Sequence, residues 1–388
     1  MKHYIIYLLF LTALVSASCS KQLDTEPTQS VDETVALSTS KDVLVALVGC
    51  YADLGSSDLY GGRAFVCPDL LASTDNIAWT GTYQGMTQIV NKEIPVDNTF
   101  TAQTWLDGYR TINDVNNVLS ALGVVDADKK NTVEGEGKFI RGSIYFDLVR
   151  LFAKAWNDGD ANTNAGVPIV LEPTRNITEE SKVPRATVAA VYQQVIQDLS
   201  DALVKLPESN GFYANKAAAA AMLSRVYLQQ GNYAAALQAA DDALAYADEI
   251  GLKLNSTYDK AFPAGTQPVK NTSEDVFAMQ VTTSSGSNNF QQFYSVNGRG
   301  DIAISNAYLA TYEDNDDRFD LFYADAGSNF CGKFENQYGN VHIIRLAELY
   351  LTRAEANFRL GSSTGETPLD DINTIRKRAG LKNLNTGN

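Results

Sequence analysis

Histidine is almost missing from this 388-residue chain, which holds only His3 and His342. His3 falls in an N-terminal apolar stretch, and His342 opens an apolar segment that is expected to be helical, where a lone histidine is structural. No zinc-type cluster, Gly-x-Ser-x-Gly elbow or phosphate-cradling glycine loop is present. Cysteine is scarce as well. Besides Cys19 there are Cys50, Cys67 and Cys331, which allow at most one internal disulfide and match no zinc spacing, so they read as small buried hydrophobes. Basic residues are in deficit, 31 Lys and Arg against 46 Asp and Glu, for a net charge of −15. Residues 1–18 hold one lysine and no acid, so the chain without them carries −15 − 1, about −16. No basic cluster interrupts that field. This argues against nucleic acid and against electrostatic docking on anionic lipid; an uncharged or cationic ligand is easier to accept.

Long apolar runs are also lacking, with one exception. Tyr4 to Val15 forms an apolar stretch behind Lys2, too short to span a bilayer comfortably but suited to a secretory signal. Small residues Ser16, Ala17 and Ser18 follow, then Cys19, a pattern that predicts a signal peptide over 1–18 and lipidation of Cys19. Several acyl chains on one residue suffice for stable anchoring without a transmembrane helix. Residues 19–40 (CSKQLDTEPTQSVDETVALSTS) are polar and predict a lipidated, flexible tether.

What the chain does have is helical periodicity. Trp105, Tyr109, Ile112, Val115, Leu119 and Leu122 recur at steps of three and four, and residues 138–153 predict a helix buried on most sides. Over 187–206, Thr187 can cap a stripe of Val188, Val191, Tyr192, Val195, Leu199, Ala202 and Leu206, which Pro207 stops. Two helices then follow, 215–230 and 233–247, joined at Gly231-Asn232, with alanines at contact positions in the manner of a tetratricopeptide pair. A second pair is expected at 342–359 and 367–379. The predicted fold is a mainly α, tetratricopeptide-like scaffold over 41–388, with loop-rich insertions at about 55–100 and 250–340. A few short strands are expected, among them 273–282.

The insertions carry the candidate ligand groups. A sugar presents apolar C–H faces ringed by hydroxyls, so its binder needs exposed flat aromatics beside short polar side chains. Residues 73–85 supply Asp75, Asn76, Trp79, Tyr83 and Gln84; residues 287–300 supply Asn289, Phe290, Phe293, Tyr294 and Arg299. Trp105 and Trp156 are expected in the core. Catalytic groups do not present themselves. Glu348 and Glu355 lie among Arg345 and Arg353 and read as helix ion pairs. The acidic run 313–318 lacks the glycine and distal glutamate of a calcium loop and reads as a solvated turn. No cofactor or metal is expected.

Several segments together resemble the SusD/RagB family. CSKQLDTEP at 19–27, the helix bearing Trp105, Tyr109, Ile112 and Asn116, and EGEGKFIRGSIYFDLVRLFA at 134–153 are similar to its motifs. So are Gly166-Val167-Pro168, VPRATVAAVYQQVIQDLSDALVKLP at 183–207, the pair at 217–240 and Asp317-Arg318. IIRLAELYLTRAEA at 343–356 and INTIRKRAGL at 372–381 complete the set. Gly137 and Gly142 replace usual alanines, a change of packing more than of function. The chain ends soon after RAGL, where family members continue, so its C-terminus is expected to be short. The resemblance implies a non-enzymatic, surface-exposed outer-membrane lipoprotein that captures oligosaccharide and passes it to a SusC-like TonB-dependent transporter. The family also places glycan-stacking aromatics in the two loop regions. Peptide or glycopeptide cargo, a periplasm-facing scaffold that binds protein, and a helical glycosidase are the alternatives.

Overall fold

The computed structural model describes residues 36–385, so the expected signal peptide, Cys19 and most of the tether lie outside it. Among the described residues, twelve helices and six short strands occur. Among these residues no helix is long and apolar enough to cross a membrane.

The scaffold is a stack of capped helices. Thr39 and Asp42 form a capping box at the start of α1 (Ser40–Leu54). Asn98 caps α4 (Thr99–Ser120), Thr187 caps α6 (Val188–Lys205), Asn215 caps α7 (Lys216–Gln229) and Asn232 caps α8 (Tyr233–Glu249). Each of these side chains accepts a backbone N–H that the first helical turn leaves unpaired. Helix α5 (Lys130–Phe152) lies between α4 and α6 and is buried almost continuously from Val133 to Val149. The expected stripe of α6 is the face it buries, together with Asp198. α7 and α8 form the alanine-rich pair; its turn takes φ +69° at Gly231, where glycine alone is unstrained. α8 packs on α11 (Leu346–Leu360), which pairs with α12 (Pro368–Arg378).

Ion pairs lock the stack. Arg141 of α5 donates twice to Asp198 of α6, 2.8 Å each, and once to Asn116 of α4. Arg353 of α11 joins Asp371 and Asp241. Glu348, expected to pair along its own helix, instead accepts two bonds from Arg225 of α7, while Glu355 does pair locally with Arg359. Trp105 and Trp156 pack, half-buried, against the main core.

One segment departs from expectation. Residues 341–345 are not helical but form β6 (Val341–Arg345), antiparallel to β2 (Asp275–Met279). β2 is buried along its whole length, so its backbone groups need a ladder partner, and the apolar run before Leu346 supplies it. His342 therefore sits on a strand, not on a helix.

Candidate functional site

The two insertions, separated by most of the helical scaffold in sequence, fold together. Helices α2 (Arg63–Ala72) and α3 (Gln84–Val90) contribute Val66, Leu70, Met86 and Ile89 to a second core. Phe293 and Tyr294 of α9 (Asn289–Tyr294), Ile302, Ile304 and Cys331 complete it. An antiparallel sheet seals the union, in the order β1 (Ile77–Trp79), β3 (Ile302–Ile304), β5 (Ser328–Cys331) and β4 (Phe322–Asp325). Trp79 pairs with Ile302 across the first two strands.

That union buries three of the residues expected to meet ligand. Phe293 is 0% exposed and seats the rings above it. Tyr294 is 4% exposed, and its hydroxyl donates to Asp69 at 2.7 Å. Burial, with the Asp69 carboxylate beside it, pushes that hydroxyl well above its ordinary range. The amide of Asn289 donates to the carbonyls of Ser57 and Gly61. These three side chains plug the insertions together, because a six-residue helix caught between two elements has no free face. The cysteines are packing groups too: all three described are free, and burial pushes the Cys50 and Cys67 thiols up to about 12.

Four other expected residues gather at one exposed edge. Trp79 is half-buried; its indole N–H donates to the Thr87 hydroxyl at 2.9 Å and its ring meets Phe293 at 6.2 Å. Tyr83 is 37% exposed and stands edge-on to Phe293 and Phe100. The Arg299 guanidinium lies 4.3 Å from the Tyr83 ring centre, steered by Asp301 at 2.5 Å. Gln84 is exposed alongside. Two rings on a rigid seat, with an amide and a guanidinium at their border, can stack on a sugar face and hydrogen-bond its hydroxyls.

Asp75 and Asn76 are exposed but sit elsewhere. Their backbone carbonyls accept from Ser305, and Asn76 lines a hollow of about 330 Å³ with Tyr294, Tyr308 and Phe322. Beyond it lies a ring series of which the sequence singled out Phe290 but missed its partners: Phe290 stacks on Phe334 at 4.8 Å and on Phe65 at 6.1 Å. The aromatic density of 319–334 was the available signal for Phe334 and Phe322. In the acidic turn, Glu313 pairs with Arg376 and Asp316 with Arg318. Among the described residues no three His, Cys, Asp or Glu converge as a metal site.

The family described as starch-binding and associating with the outer membrane matches residues 21–228, and the SusD family matches residues 332–388. The chain belongs to this SusD-like family of carbohydrate-binding, outer-membrane-associated proteins. SusD-like protein P2 of Formosa agariphila is 27% identical over 308 residues, 77% of this chain and 57% of that protein. The chain thus spans little more than half the length of that relative. A SusD superfamily protein from Bacteroides thetaiotaomicron has a TM-score of 0.78 at 25% identity, covering 88% of this chain and 80% of that one. A laminarin binding SusD-like protein shares the fold, with a TM-score of 0.71 at 22% identity over 89% and 85% of the two chains.

Proposed function

We propose that this chain is a non-catalytic, cell-surface lipoprotein, anchored through Cys19, that captures oligosaccharide and delivers it to a SusC-like TonB-dependent transporter. The observation that carries the reading is the Trp79–Tyr83 pair: two rings at the surface of a chain in a carbohydrate-binding family, held on Phe293 and bordered by Gln84 and Arg299. Capture is an equilibrium. Stacking on the rings supplies most of the affinity, and Arg299 turns from Tyr83 toward the sugar hydroxyls as the ring face is taken. The chain acts on no bond of its cargo.

Calorimetric titration with laminarin and starch oligosaccharides tests the assignment. Trp79→Ala weakens binding by about 1–3 kcal/mol with little loss of fold, the scale of a stacking anchor. Unchanged affinity would remove Trp79 from the site, and binding confined to peptides in a mixed glycan and peptide panel would overturn the glycan reading.

A further inference from the structure

Against its overall acidity the chain holds a hollow walled by the opposite charge. It lies where the insertions meet β6, with a volume of about 210 Å³. Phe262, Phe290 and Phe334 give it apolar walls; Lys333, His342 and Arg345 give it charge, and no aspartate or glutamate lines it. Three of these groups surround a single ring. Lys333 Nζ lies 5.2 Å from the centre of Phe262, the Arg345 guanidinium 5.0 Å and the His342 ring 5.5 Å.

The charges behind these groups do not balance. Glu274, fully buried, is shared between Arg345 and Arg378, so one carboxylate faces two guanidiniums. Asp275 takes the His342 ring at Nδ1, 2.5 Å away, and accepts from Thr272 through its other oxygen. With Nδ1 so engaged, Nε2 is the ring nitrogen left for a ligand. Among the described residues the Lys333 ammonium has no carboxylate within ion-pair distance and no hydrogen-bond partner; it rests on the rings of Tyr258 and Phe262. A half-buried ammonium without a counter-charge is unfavourable in a low-dielectric wall, and an incoming anion relieves it.

We propose that this hollow binds the acidic substituent, carboxylate or sulfate, of an anionic saccharide. The inference rests on the capture function above and narrows its ligand class. The acidic group meets Lys333 Nζ, its sugar ring lies against Phe290 and Phe334, and a hydroxyl reaches His342 Nε2.

The test is a titration of the full chain with paired oligosaccharides. Oligogalacturonate is set against neutral galacto-oligosaccharide for the carboxylate, and carrageenan oligosaccharide against agarose oligosaccharide for the sulfate. At low salt the charged member of at least one pair binds about tenfold tighter, and the preference shrinks as ionic strength screens it. Lys333→Gln abolishes that preference, while Lys333→Arg, which restores the charge, retains it. Equal affinity for charged and neutral members, or a preference that survives Lys333→Gln, overturns the inference and leaves the capture function standing. Absence of binding to all four overturns the inference alone where laminarin or starch oligosaccharides still bind, and absence of binding to those as well sinks both.

Discussion

Asp114 on α4 is held in its protonated form well beyond the ordinary carboxylate range. Burial, and then the neighbouring charge of Asp53 on α1, push its pKa up from 3.8 to about 6. A folded-state value above the unfolded one means that the native chain holds the proton more tightly. The stability it contributes is therefore full below pH 4 and is lost as pH rises through 6. Asp114→Asn keeps the neutral form at every pH. Since the group is only half-buried, the expected gain is about 1 kcal/mol at pH 7.5, vanishing near pH 4, in urea unfolding at the two values. At this scale the sequence told residue type well and orientation poorly. Tyr83 and Phe293 are both aromatics in glycine- and asparagine-rich segments, yet one is exposed and the other sealed. The difference lies in which element each packs against, and that contact spans about two hundred residues.

Helices with one apolar stripe were legible to within a residue or two, because a period of 3.6 leaves little choice of face. The stripe and cap of α6 are the clearest instance. β6 was not legible: in VHIIRLAELYL the strand runs into the helix through Arg345 with no glycine, proline or side-chain cap between them, and neither period wins. The glycines of α5 show a finer effect. A Cβ at Gly137 would meet the Leu119 side chain at 3.0 Å, and one at Gly142 would meet Leu199 Cγ at 3.1 Å and Asp198 Cβ at 3.2 Å. Leu119 is half-buried and its methyl can turn aside, whereas Asp198 is pinned by Arg141. Gly137→Ala should thus keep most of the helix-propensity gain of about 1 kcal/mol. Gly142→Ala loses about 1–3 kcal/mol to overpacking, which cancels or reverses that gain. A rise of the thermal midpoint is expected for Gly137→Ala and no rise or a fall for Gly142→Ala, and equal rises would refute the packing account.

For the whole molecule, the helical-repeat architecture and the presence of two insertions were readable from composition and period alone. Their union was not, because loop-rich segments carry no periodic record of a partner. Phe293 is the pivot of that union, touching Trp79 and Tyr83 from beneath. Phe293→Ala should cost about 3–5 kcal/mol, as expected for an aromatic removed from a closed core. It should also loosen the exposed rings. Protease nicking within 73–85 and 287–300 would then rise together, while cleavage confined to one segment would contradict a shared core.

Under the proposed capture function, a ring-bearing edge assembled from two distant stretches of chain has an evolutionary consequence. Exchanging one stretch between relatives, by recombination or by design, would set foreign rings on an unmatched seat, so cargo preference should pass between these proteins only when both stretches travel as a matched set.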